Sequence, residues 1–414
     1  MEQEQILMRK ERGKQIAKTC QITRLHDGWI VPSQTGGGYY FVKREGFKDT
    51  CTCPDHETRH CKCKHIWAVE MIITKEIDKE GNITVTKTVR KTYSQKWSEY
   101  DQSQIHQKEL FMKLLSDLTN NVEQPQYTFG RPTIPLSDMI YNSVLKVFTT
   151  FSLRRFMSDM QIAQEKGYVE NKPCYASIGH FLQKEELTPI LSNLIALTSL
   201  PLTSIENNFA IDSTGFGTSR FDRWYSFKYG KEIKSRKWVK CHFMTGVKTN
   251  IVTSVKLTTE YEADSPQLKE LIQKSNEHFD MKEISADKAY LSRENLTAIS
   301  EVGATPYIPF KINTKGRSKG FPVWNKMYHY FMLHHDEFIE HYHKRSNVET
   351  TVFMIKSKFG DYVRSKDWTA QVNEVLCKII CHNICVVIQE MHESGINPLF
   401  CVESKTSVYK ESDY

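Results

Sequence analysis

The segment YHKRSNVETTVFMIK, from Tyr342 to Lys356, constrains the fold most because its residues follow a helical repeat with two separate stripes. At about 3.6 residues per turn, a helix over residues 337–358 places Tyr342, Arg345, Glu349 and Lys356 within roughly 60° of one another. An apolar stripe lies beside these polar groups and consists of Val348, Val352, Ile355 and Phe359. Such a helix can rest on a core and hold a carboxylate at its edge, although an ordinary amphipathic helix with solvated charges has the same pattern.

Two acidic residues that are far from this segment in the sequence, Asp212 and Asp287, each follow a strand pattern. Asp212 lies in FAIDSTGFG, where alternation puts Ala210 and Asp212 on one face of a strand and Asp212 at its carboxyl end, before a flexible GFG. Asp287 ends a second strand pattern, in EISADKAYLS. With the spacing Tyr-x2-Arg-x3-Glu-x6-Lys, these motifs resemble the DDE transposases of bacterial and archaeal insertion sequences, and the resemblance spans residues 120–390.

The resemblance implies an α/β fold class. The expected architecture is a ribonuclease H-like mixed sheet flanked by helices, preceded by a helical DNA-binding region and a small ββα zinc module. The order of patterns agrees, because three strands in a meander are followed by a helix, a strand and another helix.

The resemblance also implies the chemistry and the roles of the three acids. In-line attack on a phosphodiester needs strong charge neutralisation, which two magnesium or manganese ions held by carboxylates provide. By analogy, Asp212 bridges both ions, Asp287 holds one and Glu349 holds the other. Cleavage at the ends of an insertion sequence and transfer of the 3′ ends into target DNA is the implied function; the alternatives are a catalytically inactive DNA-binding derivative and a related nuclease.

Several residues are expected to contact double-stranded DNA. By resemblance, Arg345 and Lys356 bind phosphates beside the scissile bond, and Tyr342 packs on the backbone or hydrogen-bonds to it. Basic and aromatic residues alternate over residues 218–240, a pattern typical of a phosphate-gripping hairpin that includes Lys237 and Lys240, although a solvated hairpin is the other interpretation. In the later loop, Arg317 is a phosphate contact and Trp324 is the candidate for stacking on an unpaired base, with core packing as its alternative.

A second motif, CTCPDHETRHCKCKH, offers zinc ligands near the amino terminus. Cys51, Cys53, Cys63 and His65 supply three thiolates and an imidazole, the set needed by a closed structural zinc site. By spacing alone Cys61, His56 and His60 compete as ligands. A preceding hairpin pattern and a following helix make the region similar to the SWIM zinc finger, whose Cys-x-Cys and Cys-x-His pairs select the first four residues and imply one zinc ion.

The expected domain division follows the changes in composition. It comprises a charged arm (1–26), the SWIM-type zinc finger (27–75), a linker and helix (76–135), a helical region with DNA contacts (136–204), the ribonuclease H-like catalytic domain (205–392) and a C-terminal tail (393–414).

Composition restricts the location and partners of the protein. The net charge of +7 suits a polyanionic partner. The polar amino terminus and the absence of a long uninterrupted apolar run favour an intracellular, reduced protein without a membrane span. The resemblance implies a prokaryotic cytoplasm, association with the nucleoid, and a homodimer that brings two element ends together in a synaptic complex.

Overall fold

The structure is a computed structural model. It describes residues 2–25, 28–34, 38–45, 48–77, 83–87, 96–126, 129–130, 133–218, 228, 237–311, 313–316, 318–398 and 400. The chain divides into two compact units, Met1–Ser94 and Gln95–Tyr414.

The first unit is built around a small antiparallel sheet in the order β1-β2-β3-β4. Its elements are α1 (Glu2–Thr19), β1 (Thr23–Arg24), β2 (Trp29–Pro32), β3 (Tyr39–Glu45), β4 (Lys48–Cys51), α2 (Pro54–Arg59), α3 (Lys64–Ile72), β5 (Ile73–Ile77) and β6 (Ile83–Lys87). Helix α1 packs closely on α3, because a Cβ added at Gly13 would lie 2.5 Å from Cβ of Trp67. The predicted hairpin is therefore present as β2 and β3, and the charged arm is a helix packed on the same unit.

The second unit contains a mixed five-stranded sheet in the order β11-β10-β7-β8-β9. Its strands are β7 (Asn208–Gly217), β8 (Trp238–Gly246), β9 (Val252–Thr259), β10 (Glu283–Ala286) and β11 (Thr305–Tyr307). Strands β7, β8 and β9 form the antiparallel meander, whereas β10 lies parallel to β7 on its other side and β11 parallel to β10. This topology, with helices on both faces, confirms the predicted fold class.

Helices cover both faces of this sheet. They are α4 (Trp97–Ile105), α5 (Gln107–Asn120), α6 (Leu136–Thr149), α7 (Met157–Glu165), α8 (Tyr175–Phe181), α9 (Leu187–Ser199), α10 (Leu268–Asn276), α11 (Arg293–Glu301), α12 (Pro322–Leu333), α13 (His335–Tyr342), α14 (Ser346–Phe359) and α15 (Trp368–Glu393). Because side chains alternate along a strand, Ala210 and Phe216 of β7 enter the core formed with α5 to α9, α14 and α15. Phe209 and Ile211 enter the second core, formed with α10 to α13.

Helix α15 is the central support of the first core. Among the described residues it is the one helix long and apolar enough to cross a membrane, and its apolar window is entirely buried inside the protein. Burial of this kind is what a core helix shows. Helices α4, α5, α6 and α9 all pack against it. The predicted linker-and-helix region therefore supplies α4 and α5 as packing partners of α15, and α5 also contributes side chains to the first core.

Two local expectations were wrong. Strand β7 does not end at Asp212 but continues to Gly217, because β8 pairs with it along its whole length. The segment predicted as one helix consists of α13, a 3₁₀ turn at His343–Arg345, and α14. Lys344, in that turn, pairs with Glu283 at the start of β10, which holds the turn against the sheet.

Candidate active site

Asp212 and Asp287 lie side by side on neighbouring parallel strands. The register of β10 and β7 pairs Ala286 with Ile211, so the two acids follow at the next position of each strand. Neighbouring strands are about 4.8 Å apart, and side chains at equivalent positions point to the same face. The carboxyl end of β10 therefore brings the two carboxylates together.

Helix α14 brings Glu349 to the same place, and Arg345 links it to the sheet. The guanidinium of Arg345 donates to Oδ2 of Asp212 at 2.8 Å and to Oε1 of Glu349 at 3.4 Å. The side chain of Asp212 is 18% exposed, whereas that of Glu349 is 67% exposed. The acids thus line a site that is closed by the sheet and open to solvent along α14.

The electrostatics of this site favour a bound cation. Burial raises the pKa of Asp212 above its usual range, and the nearby charge of Asp287 acts in the same direction, whereas Arg345 opposes both. Removing a carboxylate from water and placing a second one beside it disfavours its charged form. Positive charge relieves that cost, so three convergent carboxylates fit hard divalent metal ions, which take oxygen ligands.

Tyr342 and Lys356 flank the acids along the helical segment. Tyr342 is half-buried against the second core, and burial raises the pKa of its hydroxyl despite the nearby Arg345. Nζ of Lys356 lies 5.5 Å from the ring centroid of Phe216, and burial lowers its pKa. Because Arg345 contacts Asp212 and Lys356 lies over Phe216, α14 runs alongside β7 in the same direction.

Comparison with protein families matches residues 204–384 to the transposase DDE domain. Residues 204–384 form a transposase DDE domain. The resemblance predicted from the three motifs is thus confirmed, and the DDE domain contains β7, β10, α14 and all three acids. Members of this family act on DNA with divalent metal ions. A comparison with curated proteins found no match.

The remaining expected DNA contacts of the DDE domain lie in different environments. Lys237 is exposed just before β8. Lys240 is engaged, because its Nζ lies 2.9 Å from Oδ1 of Asp264 and donates to the carbonyl of Glu262 at 2.8 Å. Arg317 and residues 219–227 and 229–236 of the basic, aromatic segment lie outside the described residues.

Trp324 packs in the core, which corrects its assignment as a stacking residue. Its side chain is 7% exposed, and its indole N–H donates to the carbonyl of Lys315 at 3.1 Å. Phe310 meets its ring edge-on at 5.1 Å. In this conformation its ring is not open to a DNA base, and core packing is the alternative that the structure shows.

The four expected zinc ligands converge in the first unit. One ligand atom each from Cys51, Cys53, Cys63 and His65 lies within 4.8 Å of the others, and all four residues are buried. Nδ1 of His65 lies 3.8 Å from Sγ of Cys51 and 3.9 Å from Sγ of Cys63. Ligands at about 2.3 Å in a tetrahedron are about 3.8 Å apart, so these separations fit zinc.

The competing ligands of the same motif are placed elsewhere. Nδ1 of His56 donates to the carbonyl of Cys61 at 2.7 Å, and His60 is exposed at the end of α2. The Sγ atom of Cys61 lies 3.9 Å from the carbonyl of Asp55, outside the cluster. The donor set that the structure brings together is therefore the one that the SWIM pattern selects.

A buried polar network fixes α14, and the sequence motifs did not indicate it. On the face of α14 opposite Glu349, Asn347 donates to the carbonyl of Val247 at 2.9 Å and Thr351 donates to Oδ1 of Asn250 at 3.1 Å. Asn250 has a left-handed conformation, with φ 65°, in the turn between β8 and β9. Its carbonyl accepts a hydrogen bond from His382 of α15 at 2.8 Å. One turn of the sheet thereby sets the position of the helix that carries Glu349.

Thr351→Val tests this positioning role. The substitution keeps the shape but removes the hydrogen bond from Thr351 to Oδ1 of Asn250 and the contact between the hydroxyls of Thr351 and Thr245, which costs about 1–3 kcal/mol in unfolding free energy. Displacement of Glu349 should lower kcat for DNA cleavage by about 10-fold or more with little change in KM, because small misplacements of catalytic groups are costly. Urea denaturation and steady-state cleavage measure the two effects. The exposed neighbour, in Thr350→Val, is the matched control, and equal behaviour of the two variants would contradict the role.

Proposed function

We propose that the protein is an insertion-sequence transposase that cleaves DNA at the ends of its element and joins the freed 3′ ends to target DNA by two-metal phosphoryl transfer. The observation that carries the proposal is the convergence of Asp212, Asp287 and Glu349 at one end of the parallel strand pair. In this proposal it acts as a homodimer in a prokaryotic cytoplasm, where each copy binds one element end and both act on one target.

The positions of the three acids suggest a metal-binding role for each. Asp212 neighbours Asp287 across the strand pair and shares Arg345 with Glu349. In this proposal Asp212 would be the ligand common to two magnesium or manganese ions, and Asp287 and Glu349 would each hold one of them. When bound, these ions stabilise the charge of the transition state and activate the attacking oxygen. Water attacks first and releases a 3′ hydroxyl at the element end; that hydroxyl then attacks a target phosphate, and the target's own 3′ oxygen leaves.

Arg345 has a second partner available in this reaction. In the structure its guanidinium neutralises Asp212 and Glu349. A single DNA phosphate can accept two hydrogen bonds from one guanidinium, so Arg345 can exchange the two carboxylates for a phosphate when substrate and metal ions enter. Lys356, further along α14, supplies a second cation to the phosphate backbone.

We further propose that the zinc cluster is structural and that the helical region of residues 136–204 contributes DNA contacts. A full set of four protein ligands leaves no position open for a substrate, which supports a structural ion. Arg154 and Arg155 are exposed between α6 and α7, where a phosphate can reach them.

A strand-transfer assay with a pre-cut element end tests the function. The DNA flanking the reading frame identifies the terminal inverted repeats, and a duplex ending in the matching 3′ hydroxyl serves as donor. We expect magnesium-dependent joining of that hydroxyl to a supercoiled plasmid. Nicking without joining would identify a nuclease, and tight binding without either reaction would identify an inactive derivative; both results would overturn the proposal.

A further inference from the structure

The ladder between β7 and β10 ends just before two of the acids. Its last pair joins Ala286 to Ile211, whose side chains enter the second core. Because side chains alternate along a strand, Asp287 and Asp212 follow on the opposite face of the sheet. The ladder therefore stops short of the two positions whose separation matters for metal binding, and other contacts have to set that separation.

Tyr290 lies behind these acids, on the face of the second core. It ends the 3₁₀ turn Lys288–Tyr290, which begins directly after Asp287, and the carboxylate of Asp287 accepts from the backbone N–H of Lys288 at 2.7 Å. The side chain of Tyr290 is buried, and its carbonyl accepts from Asn295 of α11 at 2.8 Å. The position of this tyrosine thus sets the position of the turn that carries Asp287.

The hydroxyl of Tyr290 reaches from this turn to β7 and β8. It lies 3.5 Å from Nδ1 of His242, which is fully buried. Burial raises the pKa of Tyr290, and the charges of Asp264 and Asp212 act in the same direction, whereas a hydrogen bond with Ser213 opposes them. Ser213 and His242 are paired in the register of β7 and β8, so both face the tyrosine. The hydroxyl therefore joins the turn after Asp287 to the strand that carries Asp212.

His242 is itself held by β9 and the loop that follows it. Its Nε2 lies 2.9 Å from Oγ1 of Thr258, and its Nδ1 lies 3.3 Å from Oδ1 of Asp264. Burial lowers the pKa of His242 to about 4, so the ring is neutral near neutral pH. A carboxylate only accepts, which places the ring proton on Nδ1 and leaves Nε2 to accept from Thr258. The imidazole beside Tyr290 is thus fixed in one orientation.

We propose that the buried hydroxyl of Tyr290 fixes the separation of Asp212 and Asp287, which makes Tyr290 a positioning residue of the metal site. The inference rests on the proposed function, because the separation matters only if both acids hold metal ions. Magnesium requires oxygen ligands at about 2.0–2.1 Å in near-ideal geometry, so a small shift of one carboxylate weakens its binding. Phenylalanine would fill the core equally well, and a buried hydroxyl adds a desolvation cost. The contact between the two acid-bearing segments is what the hydroxyl adds.

Tyr290→Phe tests the proposal because it removes the hydroxyl and keeps the ring. Binding of Mn²⁺ to the full-length protein, measured without DNA from the electron paramagnetic resonance signal of the free ion, reports on the site and does not require catalysis. We expect the dissociation constant for Mn²⁺ to rise about 10-fold or more, the effect typical of removing a group that orients metal ligands. The Mg²⁺ concentration that gives half-maximal DNA cleavage should rise in parallel, with a smaller fall in the rate at saturating Mg²⁺.

Tyr141→Phe is the matched control. Tyr141 is fully buried in the first core, outside the DDE domain, and its hydroxyl donates to the carbonyl of Met112 at 3.3 Å. The variant loses a buried hydroxyl as Tyr290→Phe does, so thermal unfolding should register both, but it should bind Mn²⁺ as the wild type does.

Thr258→Val tests the part played by His242. It keeps the shape of the side chain and removes the hydroxyl that holds Nε2, so it should weaken Mn²⁺ binding in the same direction as Tyr290→Phe. Combining the two substitutions should add little to the effect of Tyr290→Phe alone, because both act through the same contact.

Two results would overturn the inference and leave the proposed function intact. Unchanged Mn²⁺ affinity in a folded Tyr290→Phe variant would show that the hydroxyl does not set the site, and an equal loss in Tyr141→Phe would reduce the effect to lost stability. Asp212→Asn defines how much Mn²⁺ binds away from the acids. If the wild-type protein binds no more Mn²⁺ than Asp212→Asn does, the acids hold no metal ion, and the proposed function and the inference fail together.

Discussion

Asp212→Asn should lower DNA cleavage and strand transfer by at least about 10³-fold, because metal ions at such a site supply several kcal/mol of transition-state stabilisation. The amide has the size of the carboxylate, but it is neutral and binds divalent ions weakly. Asp287→Asn and Glu349→Gln should have effects of the same order, since each removes one charge from the same site. DNA binding, measured by fluorescence anisotropy, should persist in all three variants.

The matched control for these variants is Asp280→Asn. Asp280 is exposed just before β10, at the opposite end of that strand from Asp287, so its loss removes the same charge without touching the site. Thermal unfolding shows whether Arg345, once its Asp212 partner is neutral, destabilises the fold. Full cleavage activity in any of the three variants would show that its carboxylate is not an essential metal ligand.

Much of the fold follows from local patterns. Strands β7 and β10 are short alternating or apolar runs, and the meander β7-β8-β9 joins neighbours in sequence, so their pairing could be predicted. The end of β7 could not be predicted. It depends on the pairing of Gly217 with Trp238 of β8, and residues 218–237 separate the two strands in the sequence. Likewise, the 3₁₀ turn before α14 could not be predicted. It accompanies the ion pair of Lys344 with Glu283, and the helical repeat of the sequence gives no sign of this distant contact.

The candidate site divides in the same way. Spacing placed Arg345 and Glu349 on one side of a helix, and residue chemistry indicated the acids. The contact of Arg345 with Asp212 joins residues 133 positions apart, and the contact of Thr351 with Asn250 joins residues 101 apart. Contacts of this kind have no signal in a single sequence. Trp324 shows the converse limit, because composition does not distinguish a stacking ring in a basic loop from one that closes a core.

Substituting the zinc ligands should have the second largest effect, this time on folding. The core of the first unit is small. Its buried apolar residues include Ile16, Val31, Val42 and Ile66, and three cysteines of the metal cluster are part of the same core. Structural zinc in comparably small modules contributes about 10–16 kcal/mol, which is also their folding free energy. Cys51→Ser with Cys53→Ser should therefore abolish binding of about one equivalent of zinc and unfold the first unit.

Cys61→Ser is the control for that result. Cys61 belongs to the same motif but lies outside the cluster, so its variant should bind zinc as the wild type does. Metal analysis of the purified protein measures the zinc, and limited proteolysis should cleave the double variant within residues 1–94 while the second unit, with its own two cores, stays intact. Wild-type protein purified without zinc and still resistant to proteolysis would contradict the role of the ion, because the buried thiols would then have to hold the unit together as an apolar core alone.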